Sequence, residues 1–189
     1  MATISKDTPS LYLTTVAKDR LPIFRTDKIK AITCAAVDEA RKSGGFALYA
    51  YVIMPDHLHL ITDSVRQPSD VLRFINGIIS RRVIDYLKEQ GYKSSLAKLR
   101  QEDKARRYKY SLWEHHNNCL LLTSEGMFMQ KVNYIHQNPV RAGLVERAED
   151  YRWSSVRCWQ RNMTEDEPLL MEIERIIWRG GVTSLNRGR

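Results

Sequence analysis

A chain of 189 residues, 43% hydrophobic and 28% charged, is long enough to bury one sizeable core, and its composition excludes a disordered or collagen-like polymer. It is short for a (β/α)8 barrel, which needs at least ~200 residues. Its 30 Lys and Arg against 22 Asp and Glu leave a formal charge of +8, a field that attracts polyanions before any specific contact forms.

Ser10 to Val16 (SLYLTTV), rich in β-branched and aromatic residues, predicts a first strand. Thr26 is placed to cap a helix whose apolar Ile29, Ile32, Ala36 and Ala40 recur at spacings of three and four, and Gly44-Gly45 closes it. Phe46 to Met54 is a nearly unbroken apolar run and predicts a central strand. After a turn at Pro55-Asp56, His57 to Thr62 (HLHLIT) predicts its antiparallel neighbour. A long helix follows Pro68-Ser69, with Leu72, Ile75, Ile79, Val83 and Tyr86 on one face and Gly91 past its end. Lys93 to Lys109 is basic and irregular and predicts a surface connection. Short strands are expected around Tyr110 to Trp113 and Asn118 to Leu122. Ser124 caps a further helix, expected to stop near Asn138 because Pro139 disfavours the helical conformation in the residue before it. Trp153 to Trp159 and Leu169 to Trp178 predict short terminal helices. This order describes an α+β domain, an antiparallel sheet with helices packed on one face and the other face open to a ligand.

Three cysteines, Cys34, Cys119 and Cys158, are odd in number and far apart. They suggest neither a disulfide framework nor a CxxC metal site, and they fit a reducing, cytoplasmic compartment. The first 20 residues hold no apolar stretch of signal-peptide length, and nowhere do 18 apolar residues run together, so a soluble protein with no membrane partner is expected.

His57 and His59 carry the first chemical signal. Residues two apart on a strand project to the same side, so the imidazoles point together while Leu58 and Leu60 face the other, buried side. That geometry suits two ligands of one divalent cation. The plainer alternative is a half-exposed polar strand face that holds two of the chain's five histidines. A barrel amidohydrolase needs a longer chain, and a zinc hydrolase of the metallo-β-lactamase type wants an Asp where Ile61 stands. The zinc deaminase pattern and the HExxH helix are both absent. What remains is a magnesium- or manganese-type site completed by an oxygen ligand and a substrate phosphate.

The second signal lies on the helix from Ser124. Phe128, Val132 and Ile135 share its buried side, while Met127, Lys131, Tyr134 and Asn138 form a neighbouring stripe. Tyr134 and Asn138 are one turn apart and can reach one site. A phenolic oxygen is a nucleophile toward a phosphodiester, and an amide oxygen one turn away can ligate the cation that polarises it. Read structurally, Tyr134 is an edge-of-core aromatic and Asn138 a helix cap before proline.

Three motifs in this order carry a resemblance: Tyr51-Val-Ile-Met-Pro-Asp-His-Leu-His-Leu60, Tyr134-Ile-His-Gln-Asn-Pro-Val-Arg-Ala-Gly-Leu-Val145 and Tyr151-Arg-Trp-Ser-Ser155. Over residues 10–160 the chain resembles the REP-associated tyrosine transposases, members of the single-tyrosine HUH transposases, whose name denotes histidine, hydrophobic residue, histidine. The resemblance implies a ferredoxin-like catalytic domain over 10–160; residues 161–189 fall outside it and are expected to form a helical extension. It implies that His57 and His59 hold magnesium or manganese with Asn138 as third ligand, where insertion-sequence relatives carry glutamine. One residue of helix slippage near Pro139 would put Gln137 in that place. It also implies that Tyr134 attacks the scissile phosphate of single-stranded DNA beside an imperfect hairpin, giving a 5′-phosphotyrosine and a free 3′-hydroxyl, with no nucleotide cofactor. Monomers and homodimers both occur among such relatives.

The phenol needs help to lose its proton at neutral pH, and His136, His115 and His116 are candidates to take it. Arg81 and Arg82, Lys131 and Arg141, and the basic connection from Lys93 to Lys109 are candidates to track a DNA backbone. The competing class is a non-catalytic module that binds hairpin DNA or RNA, although no RNP-type aromatic motif supports the RNA version.

Overall fold

The computed structural model describes residues 2–101, 109–114 and 118–178. Along them run β1 (Ala2–Thr3), β2 (Ser10–Val16), α1 (Asp27–Gly44), β3 (Leu48–Ile53), β4 (His57–Thr62), α2 (Pro68–Glu89), α3 (Lys93–Leu99), β5 (Asn118–Leu122), α4 (Glu125–Arg141), α5 (Val156–Trp159) and β6 (Ile176–Ile177). Strands β3, β4, β2 and β5 form one antiparallel sheet in that order. Register decides what each face carries. Thr14 opposes His59, Val16 opposes His57, and Val52 opposes His59 from the other side, while Leu13 opposes Leu60 and Tyr51 opposes Leu60. Opposed residues share a face, so Tyr12, Thr14, His57 and His59 lie together and Leu13, Tyr51, Leu58 and Leu60 lie beneath them.

The lower face is closed by α1 and α2, which pack on each other. Thr26 Oγ1 accepts the Ile29 N–H, as its sequence position predicts, and Gly45 ends α1 in the left-handed region at φ 65°. The buried stripe of α2 is Val71, Ile75, Ile79, Val83 and Leu87, spaced by three and four. The antiparallel sheet with these helices on one face is the expected α+β architecture. Helix α4 crosses part of the other face, Phe128 meeting Tyr49 at a ring-centroid distance of 5.9 Å.

Five local expectations are corrected. Helix α4 does not stop at Asn138; it runs through Pro139 to Arg141. Burial of Pro139 on the same face as Phe128, Val132 and Ile135 overrides its local preference. The true stop is Gly143, at φ 66°, where the Leu144 N–H bonds Pro139 O and the Gly143 N–H bonds Val140 O, the paired bonds of a Schellman end. Leu169 to Trp178 is not an α-helix but a 3-10 turn (Ile173–Arg175) leading into β6, which pairs in parallel with β1. Its backbone is drawn away by sheet contacts, since Glu172 N–H donates to Leu48 O and Glu172 Oε2 accepts the Leu48 N–H. Tyr110 and Trp113 make isolated bridges to Arg100 and Ala17 instead of a strand. Lys93–Leu99 is helical, anchored by buried Leu99; residues 102–108 of the basic connection, and His115 and His116, lie outside the described residues. The helix expected from Trp153 begins only at Val156, because Ser154 bridges to Val52.

Candidate active site

The two histidines are held differently. His57 is half-buried, and its Nδ1 lies 2.6 Å from Asp56 Oδ1. A carboxylate can only accept, so Nδ1 carries a proton, and in the neutral form of the ring Nε2 keeps its lone pair. Partial burial works to raise the Asp56 carboxyl, but the hydrogen bonds from His57 and Arg20 outweigh it and hold it below its ordinary range. His59 is buried, and its Nδ1 sits 2.9 Å from both the Tyr12 hydroxyl and Thr14 Oγ1. Burial first, then the charges of His57 and Lys131, push its pKa down to about 3, so the imidazole is neutral. Burial pushes the Tyr12 phenol up to about 12, so it stays protonated beside His59. The imidazole centroids are 4.9 Å apart.

Helix α4 brings Tyr134 onto this patch. Its ring lies 5.5 Å from the His59 ring and 6.4 Å from that of Tyr12, in both cases edge to face. Two cations flank it: Lys131 Nζ is 5.3 Å and Arg141 Cζ 5.1 Å from the ring centroid, and Lys131 also covers Tyr12 at 4.8 Å. Asn138, half-buried, donates its amide N–H to Tyr134 O at 3.2 Å, which leaves its oxygen as the group on offer. Gln137 is exposed. It turns instead toward a groove of about 290 Å³ that it lines with Tyr134, Gln130, Lys131, Asn133 and Arg141, and no carboxylate takes part.

His57, His59, Tyr134, Lys131 and Arg141 thus gather at α4 and the upper face of the sheet, with Asn138 one turn along α4 from Tyr134. Arg81 and Arg82 stand elsewhere, on α2, where both grip Glu39 of α1 at 2.9 and 2.7 Å. His136 is buried against Ser155 on the side of α4 away from Tyr134, so it cannot serve Tyr134 as a base. Sequence reasoning missed Tyr12, Thr14 and Asp56. Alternation along SLYLTTV put Tyr12 and Thr14 on one face, but only the register with β4 shows which. Asp56 stood in view beside His57.

Among the described residues no three of His, Cys, Asp and Glu gather as a cation site. The donor set offered is two imidazole nitrogens and an amide oxygen, which suits a cation completed by water or phosphate oxygens. The hydrogen bonds behind the rings fit that role, since a ligating histidine commonly gives its other N–H to an oxygen that fixes its orientation.

Comparison with known proteins bears on the family and the fold. The sequence pattern of the family described as "Transposase IS200 like" matches residues 9–138. A Haemophilus influenzae protein described as a REP-associated tyrosine transposase is 28% identical over 152 residues, 76% of this chain and 77% of the relative. A REP-associated tyrosine transposase solved with a REP hairpin superposes with a TM-score of 0.59 at 17% identity, over 84% of each chain. A transposase structure from Deinococcus radiodurans gives a TM-score of 0.47 at 20% identity, covering 69% of this chain and 90% of the other. With well over half its length matched, this chain belongs to the IS200-like transposase family.

Proposed function

We propose that this protein nicks and rejoins single-stranded DNA beside a hairpin, with Tyr134 as nucleophile. One observation carries the proposal: the Tyr134 ring stands 5.5 Å from His59 between two cations, on the patch that also holds His57. In the reaction Tyr134 Oη bonds to the scissile phosphorus, the bond from phosphorus to the 3′-oxygen breaks, and that oxygen takes up a proton as the phenol loses one. The 5′-phosphotyrosine keeps the ester energy, so a second 3′-hydroxyl can reverse the step with no nucleotide cofactor.

His57, His59 and Asn138 would hold a magnesium or manganese ion, which when bound neutralises phosphate charge and polarises the ester. Lys131 and Arg141 bind the flanking phosphates, and Asp56, Tyr12 and Thr14 keep the imidazoles aimed. Hairpin DNA is the substrate class that suits the charge of +8, and it is what the solved relative of like fold holds.

The test uses a single-stranded oligonucleotide bearing an imperfect hairpin with unpaired flanks and labelled at its 3′ end, incubated with Mg²⁺ or Mn²⁺. The wild-type protein is expected to carry the label through denaturing electrophoresis, and Tyr134→Phe or a chelator to abolish the adduct. An adduct that persists in Tyr134→Phe overturns the nucleophile. Hairpin binding without any adduct in the wild type overturns the enzyme in favour of a binding module.

A further inference from the structure

The Tyr-Arg-Trp-Ser-Ser run at 151–155 takes no part in the site, yet it is tied into the sheet. It lies along the outer edge of β3: the Ile53 N–H donates to Trp153 O at 2.9 Å, the Ser155 N–H to Tyr51 O at 3.0 Å, and the Tyr151 hydroxyl to Ile53 O at 2.8 Å. The buried Ser155 hydroxyl accepts the Tyr51 N–H at 3.0 Å and lies 3.0 Å from His136 Nε2. His136 is itself buried, with its ring 6.3 Å from that of Trp159.

Two residues along an α-helix are separated by about 200° of rotation. His136 and Tyr134 therefore leave α4 in nearly opposite directions, one toward the β3 edge and the other toward β2 and β4. The apolar contacts of Phe128, Val132, Ile135 and Pro139 tolerate small rotation and sliding; a hydrogen bond between two buried groups does not. A continuous path joins the two halves of the site. His59 opposes Val52, the neighbour of Tyr51; Tyr51 grips Ser155; and Ser155 meets His136, two residues from Tyr134.

We propose that the contact between His136 and Ser155 is the peg that sets the rotation and register of α4, and so the placement of Tyr134 against the histidine pair. Both are positioning residues, and the proposal rests on Tyr134 being the nucleophile. Breaking the peg shifts the attacking oxygen together with Lys131 and Arg141 on the same helix; in-line attack fails with a small displacement whereas the long-range pull of the charges on DNA does not, so the chemical step falls more than binding.

The experiment compares Ser155→Ala, His136→Leu, their double variant and His136→Gln, which keeps an N–H donor near the position of Nε2. Single-turnover nicking and hairpin affinity are measured, together with the NMR cross-relaxation between the Tyr134 and His59 rings. Ser155→Ala and His136→Leu are each expected to slow nicking by about 10- to 100-fold, with Kd for the hairpin moving by less than about 2-fold. The double variant should be no slower than the worse single variant, and His136→Gln should return within about 3-fold of wild type, since coupled groups fail together. The ring contact should weaken in step with the rate. Should His136→Leu fail to fold, Ser155→Ala, which removes one oxygen, carries the test. Unchanged rates overturn the peg, as does a fall of rate, affinity and thermal stability together with the ring contact intact. If the wild type forms no adduct, the nucleophile assignment fails by itself, and the ring contact in Ser155→Ala still decides the peg.

Discussion

Strand β4 presents two surfaces built under opposite demands. Leu58 and Leu60 point down into the core beneath α1 and α2, where any apolar side chain of similar volume serves. His57 and His59 point up, and each ring is held by a named oxygen: Asp56 for one, Tyr12 and Thr14 for the other. His59 is nearly as buried as its leucine neighbours, at 5% exposure, so burial does not distinguish the faces. Direction does: the lower face is held by area, the upper by hydrogen bonds that fix orientation. The same contrast holds for the cations, since Arg81 and Arg82 close on Glu39 whereas Lys131 and Arg141 bracket Tyr134.

The sharpest break comes from exchanging adjacent residues. His57→Ala or His59→Ala should reduce metal-dependent nicking at least about 100-fold, the loss of charge stabilisation at the phosphate, while hairpin binding by gel shift is largely kept. Leu58→Ala should do the reverse, costing about 2–5 kcal/mol of stability in urea unfolding and leaving the rate per folded molecule near wild type. Equal damage to activity from Leu58→Ala would erase the division between faces.

Acid tests the upper side next. His59 and His136 are held neutral in the fold, with pKa values near 3 and 4, mainly by burial, against 6.5 for the free side chain. The unfolded chain therefore binds more protons below pH 6.5, so stability is lost as pH falls from about 6.5 toward 4, by a few kcal/mol. The urea midpoint, followed with chelator present, should drop steadily across that window; a flat midpoint down to pH 5 would sink the assignment. Asp56→Asn should weaken metal affinity by about 10- to 100-fold through a loosened His57 ring, read as a higher Mn²⁺ concentration for half-maximal nicking. The smallest effects separate the cations. Arg141→Ala should reduce the salt slope of hairpin binding by about 1, whereas Arg82→Ala should leave the slope unchanged and cost at most about 1 kcal/mol of stability. An equal slope change in Arg82→Ala would extend the DNA surface to α2.

Much of this was legible in the sequence because local signals agreed with the fold. Thr26 and Ser124 cap the helices they precede, and the strands at 10–16, 57–62 and 118–122 form as read. The H-x-H spacing and the helical stripe placed His57, His59 and Tyr134 on converging surfaces. Pro139 misled because its ring found a buried berth, and the stop signal four residues on, Gly143, was the one the chain obeyed. Leu169 to Trp178 misled because a short apolar run has no fixed period until its backbone finds a partner, here β1 and Leu48. Arg81 and Arg82 could not be sorted from Lys131 and Arg141 by composition: the difference is Glu39, on another helix.

The register that sets β2 beside β4 also bears on when the site comes into being. Tyr12 and His59 are 47 residues apart in sequence, and Tyr51 and Ser155 are 104 apart. No local segment of the chain contains the whole site, since the histidines lie on β4 and Lys131, Tyr134, Asn138 and Arg141 on α4, and each of these contacts closes a long loop before it returns any stabilisation. During folding, helices and the hairpin of β3 and β4 can form early, while the pairing of Tyr134 with the histidines waits for the last long-range contacts. A partly folded molecule therefore exposes its basic side chains to DNA without the means to cut it, and strand cleavage becomes a late reporter of the native topology.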